Sequence, residues 1–197
     1  MDLLRKRIPF KLTDSPTVLS EVGDPILDEQ EELIQGLREA NVISNGWHLA
    51  LLRIVLGLSF SLQLISLVHS PHKNPFLVMF PVESTEVLPS IPYPVLATLL
   101  SMAIHINLAF LAFPGDLQTP LRFWDFGVFP VSYQFLYIAA AVPPTLSLFL
   151  QLPWQSTAWW SVTVAVVFIV RTVTGSIDYG NEGITELETM QYVAPGA

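Results

Sequence analysis

Four runs of about 20 largely apolar residues, at about 48–68, 95–113, 127–150 and 157–173, constrain this chain more than any other feature. At a rise of 1.5 Å per residue, about 20 helical residues cross a hydrocarbon layer about 30 Å thick. Only helices and closed barrels satisfy their backbone there. The runs therefore predict an all-α integral membrane protein, a bundle of about four transmembrane helices. Charge placement agrees. Only 13% of residues are charged, about half the share usual in soluble domains. Most of these charges fall in the first 48 and last 20 residues.

The segments between the runs supply the boundaries. Trp47 and Arg53 flank the start of the first run, the tryptophan as an interface anchor and the arginine snorkelling to the headgroups. The stretch after it holds six prolines between Pro71 and Pro94, which rules out a further span. The short apolar piece 76–80 is read as a loop element resting on the bilayer surface or the bundle. The second run stops at Pro114-Gly115, and Trp124 in an aromatic cluster marks the next interface. Pro130 is placed in the first turn of the third run, and Pro143-Pro144 are expected to kink or break it. Trp154, Trp159 and Trp160 are expected to belt one end of the fourth run, with Arg171 at the other.

Outside the spans, residues 1–23 lack periodicity and read as a flexible tail. From Asp24 the pattern becomes helical: a capping aspartate, Pro25 at the first helical position and four acidic residues by Glu32 at the positive end of the dipole. Ile26, Leu33, Leu37 and Ala40 then fall at helical spacing. The expectation is a short amphipathic helix over about 24–41, broken off by Asn45-Gly46. Its polar face is acidic, so Ile26, Leu33 and Leu37 suit a protein partner better than anionic lipid. The tail 175–197 is acidic, contains four glycines and is expected to be mobile. The organisation is thus an N-terminal region 1–46, a membrane domain 47–174 and an acidic C-terminal tail 175–197.

Charge also sets orientation. Eight of the nine Lys and Arg residues fall on one side of the proposed spans, against Lys73 alone on the other. This predicts both termini in the cytosol. Spans of about 17 to 20 residues suit a thin bilayer such as the endoplasmic reticulum. A net charge of −8 argues against nucleic acid. The absence of cysteine excludes disulfides and thiolate chemistry. No apolar leader core follows the basic residues 5–11, no N-glycosylation acceptor is present, and no internal repeat is visible.

Polar residues inside the spans are few: Gln63, His105, Asn107 and Gln134 lead them. Two readings compete, a proton relay through His105 and hydrogen bonding that holds the helices together. No carboxylate stands with His105 in the spans, which favours the packing role. His69, His72, Glu83 and Glu86 lack zinc spacing and read as solvated loop residues. Arg122 and Asp125, three apart, read as a local ion pair. Phosphate-loop, nucleophile-elbow and metalloprotease signatures are all missing, and no metal or other cofactor is expected.

These readings leave three function classes. The favoured one is a non-catalytic accessory or assembly subunit of a larger membrane complex, its partners the bilayer and that complex. A small oligomeric transporter or channel is one alternative. A lipid-modifying enzyme built on Arg122, Asp125, Arg171 and Asp178 is the other.

Overall fold

A computed structural model describes residues 25–69, 76, 80, 91–115 and 130–193. They form four helices: α1 (Pro25–His69), α2 (Pro94–Ala112), α3 (Tyr133–Phe149) and α4 (Trp154–Val193). Among the described residues there is no strand. Consecutive helices run antiparallel, and α4 packs against each of the other three. Three helices, α1, α2 and α4, are long and apolar enough to cross a membrane, so the chain is a multi-pass membrane protein. The fourth, α3, has 17 residues.

The ends of the bundle differ. At one end Arg53 lies over the ring of Phe113, 5.0 Å from its centroid, and Arg171 over that of Tyr133 at 5.4 Å. Above this layer Leu52, Leu56, Leu108, Leu136, Val167 and Val170 fill the main core. At the other end Ile91, Leu152, Trp159 and Trp160 form a second core. Phe76 meets the Trp159 ring edge-on at 5.7 Å. Trp159 and Trp160 are thus buried against protein, and of the three expected belt residues only Trp154 is exposed. Their indoles fill the space between the loop end of α2 and the start of α4, which an apolar belt would leave to lipid.

The largest departure from the sequence reading lies outside the spans. At 1.5 Å per residue, the 45 residues of α1 and the 40 of α4 extend about 67 and 60 Å, twice the thickness of a hydrocarbon layer. The helix over 24–41 does not end at Asn45-Gly46 but continues into the membrane run, and the expected mobile tail is helical to Val193. Each extension stabilises the other. Arg38 ion-pairs with Glu188. Asn41 and Asn45 both donate through Nδ2 to Asn181 Oδ1, at 2.8 and 3.1 Å. Ile34, Ile177 and Ile184 are half-buried along the same seam. A Cβ at Gly180 would stand 3.0 Å from Asn41 Oδ1, so glycine allows this close approach. Gly46 costs its helix about 1 kcal/mol relative to alanine, which the contacts on both sides of it offset. Together the extensions form a two-helix antiparallel arm at the Arg53–Arg171 end.

Helix α3 also differs. It begins at Tyr133 after an extended Ser132, so Pro130 lies before the helix. The helix runs through Pro143 and Pro144, both buried. Thr145 donates to Ala141 O and Val142 O at 2.8 and 2.9 Å, and neither proline brings an N–H that must find a partner. At its end Gln151 adopts the left-handed conformation (φ 52°). Leu152 N–H then bonds Ser147 O and Gln151 N–H bonds Leu148 O, each at 3.0 Å. This Schellman closure turns the chain directly into α4.

Candidate functional site

Two places concentrate side chains that packing alone does not explain. The first is a polar layer inside the bundle. Ser59 and Gln63 are four apart on α1, and Ser101 and His105 four apart on α2, so each pair shares a helix face. His105 Nδ1 lies 2.7 Å from Ser101 O, which can only accept; Nδ1 therefore carries the proton. Nε2, 2.7 Å from Ser59 Oγ, is left to accept the serine hydroxyl. Both nitrogens of this buried ring are thus satisfied, and His105 clamps α1 to α2.

The same geometry speaks to catalysis. A serine hydrogen-bonded to a histidine is also the start of a nucleophile–base pair. Ser59, however, lies inside a regular helix, where neighbouring backbone N–H groups are spent on carbonyls four residues back. Among the described residues, its own helix therefore leaves no free backbone N–H beside it for an oxyanion. An apolar groove of about 390 Å³ runs past His105 between Gly57, Ala109 and Arg53. Apart from Arg53, whose guanidinium keeps its proton, the walls offer only apolar packing surface to the imidazole.

Gln63 is only 1% exposed, and neither its Nε2 nor its Oε1 has a hydrogen-bond partner; Thr163 Oγ1 on α4 is in the same state. Counting one turn along each antiparallel helix from Ser59···His105 brings Gln63 level with Ser101. Asn107 does not join this layer. Its Oδ1 accepts Val131 N–H at 3.1 Å and so ties the segment before α3 to α2. Gln134 is exposed on α3. The serines and threonine of the layer were the less visible part of the pattern; their signal is the repeated spacing of four at 59/63 and 101/105.

The second place is the outer face of the α1 half of the arm. Leu33 and Leu37 are 66% and 46% exposed. With Glu32 and Gly36 they line a shallow hollow of about 430 Å³. Gly36 has open space where a side chain would be. Ile26 lies in the first turn of α1, its side chain outside the described residues. Trp47 is 70% exposed, where the arm meets the bundle.

Other expected features separate. Arg171 and Asp178 are both exposed on α4 but lie seven residues apart, about 10 Å along the axis, so they do not share one site. Among the described residues no three His, Cys, Asp or Glu side chains are grouped as a metal site would require. His72, Glu83, Glu86, Arg122, Trp124 and Asp125, with the side chain of His69, lie outside the described residues. Compared with protein-family models, curated proteins and solved structures, the chain matches none.

Proposed function

We propose that this protein is a non-catalytic assembly subunit of a larger membrane complex, a four-span anchor that presents a docking helix outside the bilayer. The observation that carries this reading is the exposed apolar strip at Leu33 and Leu37, on the part of α1 that stands clear of the spans. Lipid does not cover leucines there. Burying one against a partner contributes about 1.5–3 kcal/mol. Glu31, Glu32 and Glu39 on the same stretch repel anionic headgroups. The hollow at Gly36 suits side chains of a partner helix.

The four-span anchor is supported by parity. The arm joins the start of α1 to the end of α4, so both lie on one side of the bilayer. A chain that begins and ends on one side crosses an even number of times. With α1, α2 and α4 as spans, a crossing by α3 makes the count even. Its 17 residues reach about 25 Å, short of a typical hydrocarbon layer, and this shortfall favours a thin bilayer such as the endoplasmic reticulum. All three described cations, Arg38, Arg53 and Arg171, lie on the arm or at its end of the bundle. By the positive-inside rule that end faces the cytosol.

Changing Leu33 and Leu37 together to aspartate tests the docking reading. The tagged variant, purified in gentle detergent, is expected to lose the partners that co-purify with the native protein in stoichiometric amount. Its resistance to alkaline extraction from membranes should be unchanged. Partners retained at the native level would overturn the reading.

A further inference from the structure

The exposed strip does not stop where the arm meets the bundle. From Leu33 the sequence steps alternately by four and three residues, without a break, through Leu37, Trp47, Leu51 and Leu58 to Val68. All eleven positions so marked are exposed: nine are apolar, two are serine and none is charged. The large side chains among them are 46% to 71% exposed. Lipid imposes no such register. A straight helix lets a row of this spacing drift by about 20° per heptad. Within the span lipid also covers exposed apolar side chains, so the register is most informative over Leu33, Leu37, Ala40, Ser44 and Trp47, where a helix partner would cover it. The row also runs on the face opposite the seam that buries Leu52, Leu56, Ser59 and Gln63, so α1 is contacted by its own bundle on one side only.

We infer that this row is the interface with a second copy of the chain, α1 packed parallel and in register against α1. The inference rests on the docking reading above and names its partner. The occupant must be one helix that is apolar both outside and inside the bilayer over about 57 Å, the length of α1 from Gln30 to Val68. Helix α1 is itself such a helix. Two copies inserted in one orientation carry it parallel and at equal depth, so arm meets arm and span meets span without adjustment.

Knobs then fit holes. Leu33, Gly36, Leu37 and Ala40 stand at the four corners, i, i+3, i+4 and i+7, of the recess that receives a facing knob, and the hollow, lined by Glu32, Leu33, Gly36 and Leu37, overlaps it at three of the four. Charge is consistent with self-pairing despite the net −8. Gly36 and Ile43 flank the row on its open side and Ile34 and Asn41 are turned into the arm's own seam, whereas Glu31 and Glu39 fall at outer positions of the heptad and Glu32 stands at the edge of the hollow. A strip of this length and about 10 Å wide removes on the order of 600 Å² per copy. That is about 1,100–1,200 Å² for the pair, above the roughly 1,000 Å² of a specific interface.

Because the chain has no cysteine, single-cysteine variants read this contact without background. Leu33→Cys, Leu37→Cys and Ala40→Cys lie on the row; Gln35→Cys and Val42→Cys are exposed on the opposite face. Oxidised in native membranes, the first three are expected to give a disulfide-linked dimer several-fold more abundant than the last two. Adding Gly36→Trp to Leu37→Cys fills the hollow and should cut that dimer several-fold with membrane insertion intact. Equal yields on both faces, or no dimer at any position, would overturn the second copy. Row cysteines that form no dimer but join a different protein with the same periodicity would also overturn it, and would leave the docking reading standing. If no adduct forms and Leu33→Asp/Leu37→Asp keeps its partners, both fail.

Discussion

Ser59 and His105 show how a few polar atoms can organise a membrane bundle. The hydroxyl of one and Nε2 of the other are 2.7 Å apart between helices that otherwise meet through aliphatic side chains. Hydrogen bonds of this kind in membranes contribute about 0.6 kcal/mol on average and up to about 1.7. Removing either partner alone strands the other in a dry interior. Ser59→Ala and His105→Leu should each destabilise the bundle by about 1–2 kcal/mol. The double variant should cost less than their sum, by about 0.6–1.7 kcal/mol. Titration with a denaturing detergent, followed by circular dichroism, measures the cycle; simple additivity would show that the contact contributes nothing. His105 was legible in the sequence as a residue demanding a partner, and packing was the better of its two readings. Ser59 was not, because a lone serine in an apolar run carries no signal until the facing helix is known.

At the scale of elements, the second run and the end of the first were legible almost to the residue, whereas the third, read as 127–150, begins only at Tyr133, and the fourth, read as 157–173, is part of a helix that runs from Trp154 to Val193. The second run, read as 95–113, is α2 from Pro94 to Ala112, and the first ends within a residue of His69. What local rules missed is continuation. Asn45-Gly46 and the glycines at 175, 180 and 183 are poor helix residues, and their cost is local. The contacts that outweigh it come from residues about 140 positions away, as in Asn41–Asn181 and Arg38–Glu188. Isolated helices of the arm's length, with these glycines, are marginal in water. Each half of the arm should therefore depend on the other. Deleting residues 25–41 is expected to release amides 178–193 to fast hydrogen exchange, while those of 157–173 stay protected. Exchange in 178–193 that remained slow would mean that the C-terminal half of α4 is stable alone, or that another surface covers it.

The whole molecule is constrained by one topological fact, the pairing of its first and last helices at one end. Hydropathy counts spans one at a time and sees α3 as the weakest, at 17 residues with two prolines. The arm couples the count: if α1, α2 and α4 cross, a crossing by α3 makes it even. Ser132 and Gln151 flank α3 and are both exposed, and the chain's lack of cysteine makes each addressable by a single substitution. In sealed vesicles, Ser132→Cys should react with a membrane-impermeant maleimide from the same side as Gln35→Cys and Met190→Cys. Gln151→Cys should react only from the opposite side. If Ser132 and Gln151 label from the side on which Gln35 and Met190 label together, α3 lies within a single leaflet and α4 does not cross. The long apolar stretch of α4, with its buried Val166, Val167 and Val170 packed on three neighbours, makes that outcome costly. Placing those valines at a bilayer surface would separate them from the core they share with Leu52 and Leu108. The packing of the core and the pairing of the arm thus both favour the proposed fourth crossing, which the apolar run at 127–150 suggests and the 17-residue length of α3 alone does not.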